Sequence, residues 1–417
     1  MPSRPLPDDP RVAALIRRLA ASSTGRRQVL SAAGIGAATL ALAACSPAGG
    51  AHTGGGGAPG GRPTLTPAKD ISATDKSMVW ANWSYYLDQD SKGKYPTLEA
   101  FQKQTGIKVT YDVAVDDNNT YYAKVKDQLA LGQDIGADTV CLTDWMVSRL
   151  IGQGYLQRLD AAKIPNRKNL LPNLQHPDFD PNRSFSMPWQ SGFAGLAWNK
   201  KKLPSGLTSV DELWDPKLKG RVGVLSEMRD TIGVIMLSQG VDISSKSWGD
   251  KEFTAAIDLF KKQVDSGQIR NIQGNSYADD LKNEDTLAAI VWSGDITQIN
   301  GEVGSDKFGF ALPDSGGTLW SDNYIIPIGA KHKSNAEELI NYYYEPEVAA
   351  TVAAYVNYIT PVNGAKEAMK KIDPSYVDNQ LIFPDASTLA KAKIFRTLTN
   401  AESQKYTAQF EAVGLGS

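Results

Sequence analysis

Met78-Val79-Trp80-Ala81-Asn82-Trp83 is a run of β-prone, mostly apolar residues. In the stretch that follows, Thr97–Thr105 puts Leu98 and Phe101 on one helical face, and Gly106 stands where a C′ glycine ends a helix. Ile107–Val113 reads as a second strand, Tyr121–Leu131 as a second helix and Thr139–Leu142 as a third strand. Strand, helix, strand, helix, strand predicts a parallel sheet flanked by helices. The alternation restarts downstream. Gly220–Leu225, Ala288–Trp292, Phe308–Leu312 and Tyr324–Ile328 read as strands. Thr231–Gln239, Phe253–Val264, Asn335–Tyr344 and Glu347–Val356 read as helices. The predicted fold class is therefore α/β with two lobes, and a cleft between them onto which the carboxyl ends of strands open.

N-terminal to this block, Thr24-Gly25-Arg26-Arg27-Gln28-Val29-Leu30 places paired arginines before an apolar stretch, Leu30–Ala44, that ends in Leu42-Ala43-Ala44-Cys45. A charged region, a short apolar region and small residues before a cut mark an export signal over residues 1–44. The apolar part is shorter than the roughly 20 residues a bilayer requires. The arginine pair points to the twin-arginine route. Leu-Ala-Ala-Cys resembles the bacterial lipoprotein box, which implies cleavage before Cys45 and a lipid on its thiol. From Ser46 to about Asp75 the chain is rich in Gly, Pro, Ala, Ser and Thr, so residues 45–76 read as a flexible tether. The expected location is outside the cytoplasmic membrane, on its outer face, held by the lipid alone.

The remaining chain, 77–417, is long enough for two domains of about 150 residues each. Its one cysteine, Cys141, lies between Val140 and Leu142 and reads as a buried structural thiol. The 417 residues carry 44 Lys+Arg and 46 Asp+Glu, a formal net charge of −2. Residues 1–44 hold six Arg and two Asp, so without them the balance is −6. A mildly acidic body argues against a nucleic-acid partner and is compatible with a cationic ligand. The sequence contains no Gly-x-Ser-x-Gly elbow, His-Glu-x-x-His, Walker A loop or Cys-x-x-Cys. His52, His176 and His332 do not cluster in sequence. Neither an enzyme nor a metal or cofactor site is expected.

Aromatic and acidic residues gather instead where strands end. Trp83 closes the first strand in Asn82-Trp83-Ser84-Tyr85-Tyr86, and Trp145 follows the third in Thr143-Asp144-Trp145. Trp292 ends Ala288–Trp292, Trp320 precedes Asp322, and Glu227 and Asp230 follow Gly220–Leu225. Any one Trp taken alone is better read as a core or surface residue than as part of a site. Placement after several separate strands favours a site. A flexible polyamine needs this mixture: aromatic walls for its methylenes, carboxylates for its ammonium groups, and indole faces worth about 0.5–2 kcal/mol to a cation. Arg229, beside Asp230, is a local partner for such acids. Sugars and zwitterions use similar residues. A surface hydrolase using Glu227 and Asp230 as a carboxylate pair and a lipoprotein with a filled cleft are further alternatives.

At these residues the chain resembles the spermidine/putrescine-binding proteins of bacterial ABC importers, over nearly all of Met78–Phe395. The resemblance rests on Asn82-Trp83-Ser84-x-Tyr86, Phe101-x-x-x-Thr105-Gly106-Ile107-x-Val109, Phe179-Asp180-Pro181-Asn182, Glu227-x-Arg229-Asp230, Ile290-Val291-Trp292-x-Gly294, Trp320-Ser321-Asp322 and Tyr358-x-Thr360-Pro361. It implies a type II periplasmic-binding-protein-like fold with each lobe a mostly parallel sheet. The implied lobes are residues 77–188 with 321–366 and residues 189–320 with 367–417. By matching position, Trp83, Ser84, Tyr86, Thr143, Trp145, Glu227, Asp230, Ser276, Trp292, Trp320, Asp322 and Tyr358 would line the cleft. Asp322 would take one amine, and Glu227 with Asp230 another part of the polyamine. Departures from the family are the order Glu then Asp at 227 and 230, Trp145 for a Tyr and Thr143 for a Ser. A further departure is Arg396, which stands where spermidine binders carry a Gln. A guanidinium in the cleft would favour a short diamine or a ligand bearing a carboxylate. The implied partners are the permease and ATPase subunits of an importer, with the chain itself a monomer.

Overall fold

Local chemistry sets most element ends. Residues 65–415 are described in a computed structural model. The export signal, Cys45 and most of the tether lie outside the described residues. β1 (Ser77–Trp83) is followed by α1 (Pro96–Thr105), where Pro96 pre-sets the first turn. Gly106, at φ 73°, ends α1 by donating its N–H to Gln102 O. β2 (Lys108–Val115) leads to α2 (Asn118–Ala130), capped by Asp117, which accepts the Thr120 N–H at 2.9 Å. β3 (Thr139–Thr143) and α3 (Asp144–Gln153) complete the expected βαβαβ block.

β4 (Ser186–Asn199) intervenes before the second series. That series is β5 (Val222–Leu225), α4 (Met228–Ser238), α5 (Asp250–Asp265), β6 (Ile269–Gln273), α6 (Tyr277–Lys282), β7 (Ala288–Trp292) and α7 (Ser293–Glu302). β8 (Phe308–Ala311) and β9 (Gly317–Ile325) follow. The chain ends with α8 (Lys333–Tyr343), α9 (Pro346–Val356), α10 (Ala365–Ile372), α11 (Ala386–Ala390), β10 (Ala392–Lys393) and α12 (Asn400–Leu415).

The strands run in the order β2-β1-β3-β9-β4-β7-β5-β6, with β8 on β4 and β10 on β9. β2, β1 and β3 are parallel, as are β6, β5 and β7. Between these two parallel sets run β9 and β4, antiparallel to each other and to their outer neighbours. β9 begins seven residues before the Tyr324–Ile328 strand read from sequence. Neither β4 nor β6 was expected. In β4 only Trp198 is not fully buried, so both faces are covered and the polar/apolar alternation that marks a half-exposed strand is missing. Pro188 has no N–H to donate, and the β4–β9 register shifts beside it.

Cys141 is buried, as expected, with the Trp80 indole N–H directed at its sulfur. Trp80 itself packs within 5.5 Å, centroid to centroid, of Trp189, Tyr324 and Tyr343. Several of the nine Trp are thus core residues, the reading each invited on its own.

Composition assigned residues 65–76 to a flexible tether. Residues 65–76 are packed on the folded body. The Ala68 and Ile71 N–H groups donate to Ile328 O and Lys331 O, Ser72 is buried, and Asp70 accepts both the N–H and hydroxyl of Ser334 in the first turn of α8. His332 fastens the end of this segment, with Nδ1 3.0 Å from Asp138 and Nε2 3.2 Å from Asp75. Burial alone would lower the imidazole pKa, but Asp138 and Asp75 together hold it above the ordinary value. A histidine raised in this way stabilises the docked segment fully below about pH 6.5, and the contribution is lost as pH rises through its folded value. Amide exchange over residues 71–76, corrected for intrinsic rates, should therefore be faster at pH 8.5 than at pH 6. His332→Gln should abolish the difference; equal protection in the parent chain at both pH values would refute the fastening role.

Candidate ligand-binding site

Parallel strands present the residues after their carboxyl ends on one edge. Here those edges meet around one cavity that opens to solvent, with about 360 Å³ of non-atom space when its mouth is included. β1 supplies Trp83, with Ser84 and Tyr86 just beyond it; α2 opens on Asn118, and β3 ends at Thr143. After β5, Glu227 caps α4 and Asp230 lies in its first turn; the turn after β6 brings Asn275, and β7 ends at Trp292. β9 contributes Trp320 and Asp322 from its own length, and Tyr358 follows α9. Ten of the sequence-derived residues therefore line one space. Asn118 and Asn275 join them unforeseen.

Three expected residues are elsewhere. Trp145 is half-buried beside the cavity, its ring 4.0 Å from the Arg229 guanidinium. Ser276 is exposed and turns its backbone N–H toward Asp116. Arg396 does not enter the cleft, which corrects the sequence reading. Its guanidinium lies over Trp248 at 3.9 Å and pairs with Glu402 at 2.6 Å, because α12 brings that carboxylate within reach six residues on. Arg229 pairs with Glu227, Nη1 to Oε1 at 3.6 Å. Asp230 is held by other groups.

The walls are aromatic. Trp83 and Trp292 meet edge-on at 5.9 Å, and Tyr358 packs edge-on against both Tyr86 and Trp320 at 5.3 Å. Gly192 of β4 makes this possible, since a Cβ there would lie 2.5 Å from Trp320 and 2.7 Å from Tyr358.

Among these walls stand buried acids. Asp322 Oδ2 accepts the Tyr86 hydroxyl at 2.9 Å. Burial pushes this carboxyl up to about 7, against the Thr143 and Tyr86 hydroxyls. Asp230 accepts the Trp292 indole N–H at 2.8 Å and the Thr318 hydroxyl at 2.5 Å, and burial raises it despite them. Glu227 caps α4 through the Arg229 N–H at 3.2 Å. Burial pushes it up to about 8, opposed by Arg229 and reinforced by Asp230 and Asp117. Beneath them lies Asp295, 1 % exposed, which accepts from Asn275, Tyr277 and Tyr358 at 2.6–2.8 Å. Asp295 is a site residue that the sequence reading missed. The signal was a carboxylate in the first turn after a buried strand.

The cavity's unmet hydrogen bonds are unequal. Among the described residues, Glu227 Oε2, Asp322 Oδ1 and Asn275 Oδ1 have no hydrogen-bond partner, and once the two carboxyls are ionised all three are acceptors. Of the lining donors, the Trp320 indole N–H is unmet. Buried acceptors left unpaired cost about 1–3 kcal/mol each, more when charged. The arrangement suits a ligand that donates N–H groups and carries positive charge. No cluster of three or more His, Cys, Asp or Glu among the described residues could hold a metal ion.

The bacterial extracellular solute-binding protein family matches residues 97–384. The chain belongs to this family. It is 27% identical to the spermidine/putrescine-binding periplasmic protein of Escherichia coli over 82% of this chain and 92% of that one. It is 29% identical to the putrescine-binding periplasmic protein PotF of the same species, over 77% and 86% of the two chains. A solved structure from Listeria monocytogenes, assigned as a spermidine/putrescine ABC transporter, aligns with TM-score 0.70 at 26% identity over 82% of this chain and all of the other. The fold is the two-lobed type II fold of periplasmic binding proteins.

Acids whose pKa is raised on folding stabilise the chain below their unfolded values and lose that contribution as pH rises through the folded ones. For Glu227 and Asp322 the window runs from about pH 4 to pH 8. Ligand-free protein should lose stability across it, by up to about 1.4 kcal/mol per pH unit for each group. Glu227→Gln and Asp322→Asn should each flatten the denaturation profile between pH 5 and pH 8.5; slopes that match the parent chain would show these carboxyls to be ionised throughout.

Proposed function

We infer that this solute-binding protein captures a small linear polyamine of the putrescine/spermidine class and delivers it to the permease of an ABC importer. The carrying observation is the excess of unpaired buried acceptors between aromatic walls. A protonated diamine supplies the missing donors at its ends and buries its methylenes between Trp83, Trp292, Trp320 and Tyr358. The names of the curated relatives support the same ligand class. Asp322 takes one ammonium. Glu227 and Asp230 serve the other end, Glu227 partly neutralised by Arg229. Closure follows because the ligand binds the closed arrangement better than the open one.

The remaining assignments complete this reading. Residues 1–44 direct export, and Cys45 carries the lipid that holds the chain outside the cytoplasmic membrane. The lobes are 77–188 with 321–366 and 189–320 with 367–417. The chain acts as a binding component and not as an enzyme.

A thermal-unfolding panel of polyamines, amino acids and sugars tests the ligand class, since a ligand at a hundred times its Kd adds about 2.7 kcal/mol. A rise with a diamine or triamine supports the proposal; a rise confined to an amino acid or sugar overturns the ligand while leaving the fold. Asp322→Asn should weaken diamine binding by about 2–5 kcal/mol in calorimetry, as when one partner of a buried charge pair is removed.

Protons compete with the ammonium for these same carboxyls. Diamine binding should therefore tighten from pH 6 to pH 8.5 and release protons, seen as a dependence of the binding heat on the buffer's ionisation enthalpy. A pH-independent affinity would mean that the acids are already ionised or do not touch the cargo.

A further inference from the structure

The turn after β2 reaches the turns after β5 and β6 at the cleft rim without lining the cavity through its acids. Asp117 divides its carboxylate: Oδ1 caps α2, and Oδ2 accepts the Ser226 hydroxyl at 3.0 Å. The Asp116 carboxylate faces the backbone N–H groups of Asn275 and Ser276, which favour its charged form. The approach is so close that a Cβ on Gly274 would lie 2.2 Å from Asp116 O and 2.9 Å from its Oδ2. Gly274 is not in the left-handed region of backbone space, so its lack of a side chain serves this contact and not its own conformation.

We infer that Asp116 and Asp117, seated on Ser226 and on the Gly274–Ser276 turn, form a closure clasp that sets how long the cleft stays shut on its cargo. The clasp rests on the proposed reading of a cleft that closes on a ligand. Its residues are positioning residues. The clasp is built from strand-end turns of the two parallel sets, so it exists only when those edges come together. It is also weak by construction. Asp116 remains exposed to solvent, and Asp117 divides its carboxylate between a helix cap and the Ser226 hydroxyl, so each contact contributes little. A hold of this kind prolongs closure while still permitting release.

The test uses the full chain carrying Cys45→Ser, in which the remaining native thiol, Cys141, is buried. Asp117→Cys with Ser226→Cys should form a disulfide under mild oxidation, read as a two-dalton mass loss, and adding Gly274→Ala should slow it by about tenfold or more, as expected for overpacking a tight contact. Failure of the pair to cross-link, or cross-linking indifferent to Gly274→Ala, overturns the clasp with no ligand needed. In the single variant Gly274→Ala, dissociation of putrescine or spermidine should quicken by about tenfold with association little changed. Ser226→Ala should give a smaller change in the same direction. Unaltered dissociation in Gly274→Ala also overturns the clasp. If the parent chain binds neither amine, the polyamine reading falls, and the cross-linking result still decides the clasp.

Discussion

The pairing of β4 with β9 is the constraint on which the rest depends. Residues 186–194 of β4 run antiparallel to residues 318–325 of β9, and each strand also borders one of the parallel sets. Two long central strands thus tie both halves into one hydrogen-bonded sheet. Their side chains form the floor of the site: Trp320 and Asp322 come from β9, and Gly192 of β4 leaves room for the Trp320 and Tyr358 rings. Polar or bulky residues along β4 would disturb both sheet edges and the floor together. Most of its 14 residues are accordingly small or apolar, and among the polar ones Ser191 bonds to Ser321 of β9, Ser186 to Asp180, and Asn199 accepts the Lys201 N–H.

Upon this floor the chain gathers more carboxyl groups than it pairs with cations. Burial raises Glu227, Asp230, Asp295 and Asp322 together, and Arg229 is the cation that lies against one of them. Asp295 is satisfied by three donors, whereas Glu227 and Asp322 each keep an unpaired oxygen. The two kinds of acid serve different ends. The satisfied one fixes Tyr358, Tyr277 and Asn275 in place. The unsatisfied ones hold the ligand-free cleft at an energetic cost that a cation relieves, so affinity is drawn from strain already present in the fold.

Much of this was legible in sequence because it follows from periodicity and strand ends. The βαβαβ order from Met78 to Leu142, the Gly106 stop and six cavity residues were readable that way, whereas Ser84, Tyr86, Thr143 and Tyr358 came from the family resemblance. The failures have separate physical causes. β4 is covered on both faces, so it carries no alternation. Asn118 and Asn275 are neutral and small, and polarity alone does not separate them from turn residues. Arg396 was placed by alignment where similarity thins, and nothing local revealed that Glu402 on α12 would claim its charge. Residues 65–76 have the composition of a linker, yet they dock because Asp70, Ser72 and Asp75 find partners on α8 and at His332, contacts remote in sequence.

Two requirements bear on the same rim. A carrier must close tightly enough to exclude water from its acids, and it must open when it meets its acceptor. Contacts to cargo alone would make residence time rise with every gain in affinity. Separating the two functions avoids that coupling: the cavity acids choose the ligand by charge, while contacts at the rim, made by residues that need not touch it, adjust the lifetime of the closed state. Such contacts must be modest, since a strong rim would shut the cleft without cargo and reduce the binding-competent fraction. The Asp116–Asp117 turn fits this demand, with one carboxylate shared between a helix cap and a hydroxyl and the other exposed beside the Gly274–Ser276 turn. Gly274 then carries specificity of a purely geometric kind, because only a residue without a Cβ lets the two edges meet.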